Sequence, residues 1–375
     1  LHLKICYLYM VCTLVLCLKW KDMKINNFSA GPSKIPDEIL HNISEDIINY
    51  KDLGYSVLEL SHRSSIFEEL VNISKSKITK ILNIPDDFEI IFIQGGATFQ
   101  NTFIPVNKKS LMNDISFLIS GTWGKKTHSD FELYFGNKIS SYNIQNVGFE
   151  DSLNDISKSD EEYLYLTSNE TIEGIQIRDF KNFKDKKLIV DMSSDICSYE
   201  FDWSNVSYIY AGAQKNLGIP GVTICIFKKG FHDESTKTSY LDIKNHILKN
   251  SSFNTAPTFS IYVLAKMLDW ILNSGGIKKI EHDNSARANK LYQFLDENND
   301  YFQLLAPKNL RSYSNIVFDF KDGSKTQKFL NHCVENGFIG LNGHRSVGGI
   351  RVSNYNSITD DMIDDFLVLL EDFVK

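Results

Sequence analysis

Lys215 stands in AGAQKNLGIPG, the stretch 211–221, between two short apolar runs, Tyr208–Tyr210 and Val222–Phe227. No carboxylate lies beside it. Gly212, Gly218, Pro220 and Gly221 are turn formers, and a lysine at the tip of a turn, pointing into water, is the plain structural reading. The chemical reading is an amine held in a tight, backbone-lined pocket. An ordinary lysine, with a pKa of ~10.4, is charged at neutral pH. Partial burial near other cations lowers that value and turns the side chain into a nucleophile for carbonyl compounds.

Three other residue sets follow apolar runs in the same way. Glu89–Gln94 runs into Gly95-Gly96-Ala97-Thr98-Phe99-Gln100, where two glycines let the backbone approach a ligand and the next N–H groups form a cup for a phosphate. An ordinary strand-to-helix turn has the same sequence. Ile115–Ser120 ends at Gly121-Thr122-Trp123-Gly124. Trp123 there is either core or a flat face on which an aromatic ring can stack. Lys187–Asp191 ends a buried run in a carboxylate, which is costly unless a cation or strong donors meet it. A protonated pyridine nitrogen is such a partner, and capping of a local turn is the structural alternative. A metal is the rival partner. Taken together, the cup, the stacking ring, the carboxylate and the amine match the phosphate, ring, ring nitrogen and aldehyde of pyridoxal 5′-phosphate.

The elements that must position these groups are legible in outline. The chain has 375 residues, 42% hydrophobic and 23% charged, which is ordinary for a globular protein long enough for two domains. A formal charge of -7 argues against a nucleic-acid partner. The six cysteines, at 6, 12, 17, 197, 225 and 333, form no C-x-x-C pair, which suggests neither zinc nor a disulfide framework and fits a reducing compartment. Residues 1–22 differ from the rest: the apolar run Ile5–Leu18 is short for a membrane span and has no cleavage site after it. They are read as an extension outside the fold, with a targeting segment as the lesser alternative.

From Pro36 onward, short apolar runs alternate with helical patterns, which predicts an α/β fold with a mainly parallel sheet covered on both faces. After Asn273-Ser274-Gly275-Gly276 the pattern changes to a smaller α+β unit, with a helix over 277–299, a strand over 315–320, a helix near 326–336 and short strands around Phe338 and Ile350. The expected divisions are 23–36 as an N-terminal arm, 37–273 as a large domain and 274–375 as a small one. In such sheets ligands bind beyond the carboxyl ends of the strands. All four residue sets lie there.

Other segments complete a pattern that resembles one family. They are Asn27-Phe28-Ser29-Ala30-Gly31-Pro32, Glu59-Leu60-Ser61-His62-Arg63, Asn169-Glu170-Thr171-Ile172-Glu173-Gly174, Asp191-Met192-Ser193-Ser194, Asn254-Thr255-Ala256-Pro257 and Gly343-His344-Arg345-Ser346-Val347-Gly348-Gly349-Ile350-Arg351. With Gly95-Gly96-Ala97 and Tyr210-Ala211-Gly212-Ala213-Gln214-Lys215-Asn216, these run in order over nearly the whole chain and resemble the phosphoserine aminotransferases, class V enzymes of the fold-type-I pyridoxal-phosphate group.

The resemblance implies a seven-stranded large domain and roles for single residues. Lys215 is then the Schiff-base lysine and proton shuttle. Trp123 stacks on the ring, Asp191 pairs with its nitrogen and Thr171 bonds the 3′-oxygen. The amides of Ala97 and Thr98, the Gln214 side chain, Asn254 and Thr255 hold the phosphate. Arg351 clamps the substrate α-carboxylate near Ala30, and His62, Arg63, His344 and Arg345 read the distal anion. It also implies a cytoplasmic homodimer with shared sites, moving an amino group between L-glutamate and 3-phosphohydroxypyruvate. The phosphorylated substrate of vitamin B6 synthesis stays open as a second acceptor. Thr98 and Ala256 stand where other residues are commoner in the family, but Thr98 acts through its backbone.

The GHRSVGGIR segment supports an anionic substrate on physical grounds as well. Two arginines six apart, with glycines between, can wrap a small dianion by paired hydrogen bonds. An alanine–glyoxylate transaminase would not need the paired His-Arg motifs, and a non-catalytic relative would not need both Lys215 and Asp191. Cys333 lies within a helical pattern and reads as core packing, which sets aside a cysteine desulfurase.

Overall fold

The computed structural model describes residues 24–233, 236 and 238–375; the stretch 1–22, read above as an extension, lies outside the described residues. The largest sheet has seven strands: β1 (Phe88–Ile93), β2 (Ile115–Ile119), β3 (Ser140–Asn143), β4 (Tyr163–Thr167), β5 (Lys187–Asp191), β6 (Val206–Gly212) and β7 (Thr223–Lys228). Their spatial order is β1-β7-β6-β5-β4-β2-β3. β7 is antiparallel to both of its neighbours, while the pairings from β6 to β3 are parallel.

The runs FEIIFI, ISFLI and YLYLT carry apolar residues at successive positions because both faces are covered. Alternate residues feed two cores. Leu188, Val190 and Ile209 join the core that includes helices Ser65–Leu82 and Thr258–Asn273. Ile189, Tyr208 and Tyr210 join the opposite one, which holds Phe103 and Phe131 of helices Gly96–Asn107 and Thr122–Phe135. β3, with the polar sequence SSYN, is an edge strand, and its exposed first half gives no apolar signal.

A third core gathers residues from Ala288 to Leu370 around the antiparallel strands Phe302–Leu304, Asn315–Phe320 and Ile350–Ser353. The helices Ser324–Glu335 and Asp360–Val374 cover it. The N-terminal arm joins this core: Asn26–Asn27 pairs in parallel with Phe338–Ile339, and Phe28 is fully buried there. Burial of such a ring is worth ~1.5–3 kcal/mol, enough to tether a short arm. Cys197, Cys225 and Cys333 are buried free thiols. Among the described residues no helix is long and apolar enough to cross a membrane.

Candidate active site

The carboxyl ends of β1, β2, β4, β5 and β6 open on one edge of the sheet, and a cavity of ≈ 230 Å³ lies there. Its lining includes Ala97, Thr98, Trp123, Thr171, Asp191, Gln214 and Lys215. These are seven of the residues singled out in the sequence, brought together from five separate segments.

Helix Gly96–Asn107 begins at the cavity wall. Gly95 and Gly96 have φ of 108° and 67°, values that glycine adopts without strain. A Cβ on Gly95 would lie 2.5 Å from Phe99 Cβ. The turn therefore admits only glycine at that position, and it leaves the first helical amides, Ala97 and Thr98 among them, aimed at the cavity edge. The first N–H groups of a helix lack intrahelical acceptors and carry its positive dipole end, which suits a phosphate.

Trp123 opens helix Thr122–Phe135 and is held by its backbone. The Trp123 N–H donates to Glu170 Oε2 at 3.0 Å and the Gly124 N–H to Glu170 Oε1 at 2.8 Å. The Thr122 N–H donates to Glu173 Oε1 at 2.9 Å. Both carboxylates of the NETIEG segment thus cap one helix end. A Cβ on Gly121 would lie 2.4 Å from Glu173 Oε2, so the carboxylates can close in only over a glycine. Burial, with Glu173 beside it, pushes Glu170 up to about 8, against the pull of the two N–H donors. The Trp123 side chain stays 37% exposed, an available face rather than a core ring.

Asp191, at the end of β5, is buried and accepts the Ser193 N–H at 2.8 Å through Oδ1. Burial raises its pKa above the ordinary carboxylate range, while Ser193 and Lys215 pull it down. The local cap foreseen as the structural alternative is therefore present, and it satisfies only one of the two oxygens' needs. Lys215 follows β6. Its Nζ donates to Thr171 Oγ1 at 2.6 Å, and among the described residues it forms no salt bridge. Burial lowers its pKa to about 8; Asp191 opposes this and Arg351 adds to it. The arm fixes the lysine from behind: the Ser33 N–H donates to Gln214 O at 3.0 Å, and a Cβ on Gly31 would lie 3.3 Å from Lys215 Cγ. Ala30 is held by Tyr355, whose hydroxyl donates to Ala30 O at 3.0 Å.

Arg351 comes from strand Ile350–Ser353, and its Nη1 meets Thr171 O at 3.4 Å. Its Nε is buried without a protein partner. A buried guanidinium N–H left over in this way is an open position for an anion. Burial also lowers its pKa.

Other predicted residues stand apart from this cavity. The Asn254 Nδ2 donates to Gln94 Oε1 at 2.5 Å, and Thr255 is exposed. Arg63 Nη1 donates to Ser252 O at 3.0 Å, so His62-Arg63 and Asn254-Thr255 share one surface. His344 Nδ1 contacts Ser346 Oγ at 2.7 Å, and Arg345 is exposed.

The sequence reading missed a polar wall of the same cavity, made by Asn101, Lys126, Thr127 and Tyr210 and bonded from behind by Tyr165 and Asp130. The Tyr165 and Tyr210 hydroxyls are 2.9 Å apart; Tyr165 donates to Thr127 Oγ1 at 3.2 Å, and Thr127 donates to Asn101 Oδ1 at 3.2 Å. Asn101 Nδ2 donates to Asp130 Oδ2 at 2.7 Å, where Lys126 also pairs. These residues are scattered over 101–210 and carry no local signal.

The donor set fits pyridoxal 5′-phosphate: helix amides for a phosphate, an indole face for a ring, a buried carboxylate for a ring nitrogen and a lysine of lowered pKa for an aldehyde. Comparisons with known proteins agree. Residues 25–366 match the family described as aminotransferase class-V. The phosphoserine aminotransferase of Lysinibacillus sphaericus (strain C3-41) is 37% identical over 350 residues, covering 91% of this chain and 96% of that protein. Among solved structures, the phosphoserine aminotransferase from Bacillus circulans subsp. alkalophilus superposes with a TM-score of 0.88 at 33% identity, covering 93% of this chain and 98% of that one. The PLP-bound phosphoserine aminotransferase from Trichomonas vaginalis gives a TM-score of 0.85 at 30% identity, covering 93% of this chain and 100% of that one. The chain belongs to the class-V aminotransferase family.

Proposed function

We propose that this chain is a phosphoserine aminotransferase, moving an amino group between L-glutamate and 3-phosphohydroxypyruvate to give O-phospho-L-serine and 2-oxoglutarate. The observation that carries the reading is the single cavity shared by Lys215, Asp191, Trp123 and the amides of Ala97 and Thr98, with the open Nε of Arg351 close by. Pyridoxal 5′-phosphate, when bound, supplies an aldehyde that carries the amino group and a ring that takes up the electrons of the substrate α-carbon.

The chain's own residues do the rest. Ala97, Thr98 and Gln214 would hold the phosphate, Trp123 would offer its face to the ring, Thr171 would bond the 3′-oxygen and Asp191 would keep the ring nitrogen protonated. Lys215 Nζ takes the α-proton and returns it on the other side of the transfer. Arg351 clamps the α-carboxylate beside Ala30. His62, Arg63, His344 and Arg345 read the distal phosphate.

We place Asn254, Thr255, His62 and Arg63 in the active site of a second copy of the chain, in a cytoplasmic homodimer. Their position on one surface outside the cavity, tied together by Arg63 and Ser252, supports that assignment. The division of the chain into an arm, a large domain to 273 and a small domain from 274 is supported by the separate core around Phe318 and Phe366.

The test is amino transfer from L-glutamate to two acceptors. Initial rates with 3-phosphohydroxypyruvate should exceed those with glyoxylate at least ~100-fold, since only the former carries the distal anion that His62, Arg63, His344 and Arg345 are assigned to read. Equal rates would favour the alanine–glyoxylate class instead.

A further inference from the structure

Two adjacent non-glycine residues, Asn250 (φ 45°) and Ser251 (φ 67°), hold the left-handed conformation just after helix Ile243–Leu248. Asparagine adopts it readily, serine much less so, and two in a row persist only where surrounding bonds impose them. Those bonds are present. Lys75, on helix Ser65–Leu82, sends its Nζ to Asn250 Oδ1 at 2.7 Å. Asn250 Nδ2 donates in turn to Asn72 Oδ1, on the same helix, at 2.8 Å. Ser251 Oγ accepts the Phe92 N–H of β1 at 2.9 Å, and the Ser251 N–H returns to His246 O at 2.9 Å. Asn254 lies four residues beyond Asn250.

Among the described residues Lys75 forms no salt bridge, its bond going to the Asn250 amide oxygen instead. Its long side chain is largely withdrawn from solvent, and burial lowers its pKa to about 8, with Glu89 opposing. Withdrawing a lysine from water to bond one amide oxygen costs stability that a neutral residue would spare. The turn it fixes leads directly into the segment 252–255, which the rest of the fold meets through Arg63 at Ser252 O, Gln94 at Asn254, the Ser252 N–H on Lys249 O and the edge-on contact of Phe253 with His246.

We infer that Lys75, acting through Asn250, is a positioning residue that fixes the 250–255 segment so that Asn254 and Thr255 meet the cofactor phosphate of the partner copy. This rests on the shared-site reading above and adds a residue to it: the clamp lies on one subunit and its effect is felt at the other's cofactor. Neither Lys75 nor Asn250 needs to touch cofactor or substrate.

The readout is the dissociation constant for pyridoxal 5′-phosphate of the dialysed dimer, measured by fluorescence titration alongside the mass of the dimer and its melting temperature. Lys75→Met should weaken binding roughly tenfold, the effect of one or two lost hydrogen bonds, with the dimer intact. Asn250→Gly should match it. Glycine tolerates the left-handed backbone, so this variant folds even if Lys75→Met does not, while both side-chain bonds are lost.

The decisive arm is the background Asn254→Ala with Thr255→Ala. There, Lys75→Met should add nothing further, because the groups it positions are gone. The same added loss in that background would overturn the proposal, as would unchanged binding in Lys75→Met and Asn250→Gly when the Asn254/Thr255 variant itself is weakened. If the Asn254/Thr255 variant binds cofactor normally, the shared-site reading fails and the clamp fails with it.

Discussion

Replacing Lys215 with alanine is expected to remove transamination by a factor of at least ~10²–10⁴, the usual contribution of a placed acid–base group, while cofactor binding persists weakly through the phosphate cup. The reason is positional. Among the described residues, the Nζ of Lys215 is the amine in the cavity that stands clear of any carboxylate pair, whereas Lys126, also on the wall, is committed to Asp130. Borohydride treatment of the wild type should fix the cofactor on the peptide bearing Lys215; label on another lysine would reject the assignment. The pH dependence of cofactor capture by the dialysed protein provides a second readout. Only the neutral amine adds to an aldehyde, and burial has lowered Lys215 to about 8. Capture should therefore level off above about pH 8 and slow roughly tenfold per unit below it. A lysine of ordinary pKa would keep accelerating to about pH 10.

The second large effect comes from symmetry. A dimer of Lys215→Ala chains and a dimer of chains carrying Asn254→Ala with Thr255→Ala should each be nearly inactive. In a mixed dimer the two lesions fall together in one site, and the other site has neither. Each mixed dimer should then recover about half of the activity of a wild-type dimer, so co-expressed chains pairing at random should recover about a quarter overall, and separately purified stocks should gain activity only as subunits exchange. If Asn254 and Thr255 serve their own chain, a verified mixed dimer stays inactive.

The parts of the fold that could be read from the sequence are those where burial writes itself into composition. β2, β4, β5 and β6 are largely apolar runs bounded by turn residues, so both the strands and the residues beyond them stand out. Asp191, Trp123 and Lys215 were legible for that reason. β3 was not, because an edge strand with two exposed residues need not be apolar. The wall of Asn101, Thr127 and Tyr210, with Tyr165 behind it, was hidden for a different reason: each residue is ordinary in its own segment, and only the tertiary fold aligns their hydroxyls and amides. The paired caps by Glu170 and Glu173 join positions about fifty apart and have no local signature. Arg63 and Asn254 were legible as motif members, but their placement together depends on a contact with Ser252 that no spacing announces.

The claim that this site is built for a phosphorylated amino acid is tested most directly by one half-reaction, followed by cofactor absorbance with O-phospho-L-serine or L-alanine in the wild type and in Arg345→Ala and Arg351→Ala. The wild type should react far faster with O-phospho-L-serine, releasing 3-phosphohydroxypyruvate. Arg345→Ala should erase that preference by slowing phosphoserine alone, since alanine carries no distal anion. Arg351→Ala should slow both amino acids, since both carry the α-carboxylate. A wild type that handles alanine as fast as phosphoserine, or two arginine variants that lose both substrates in equal measure, would contradict the account.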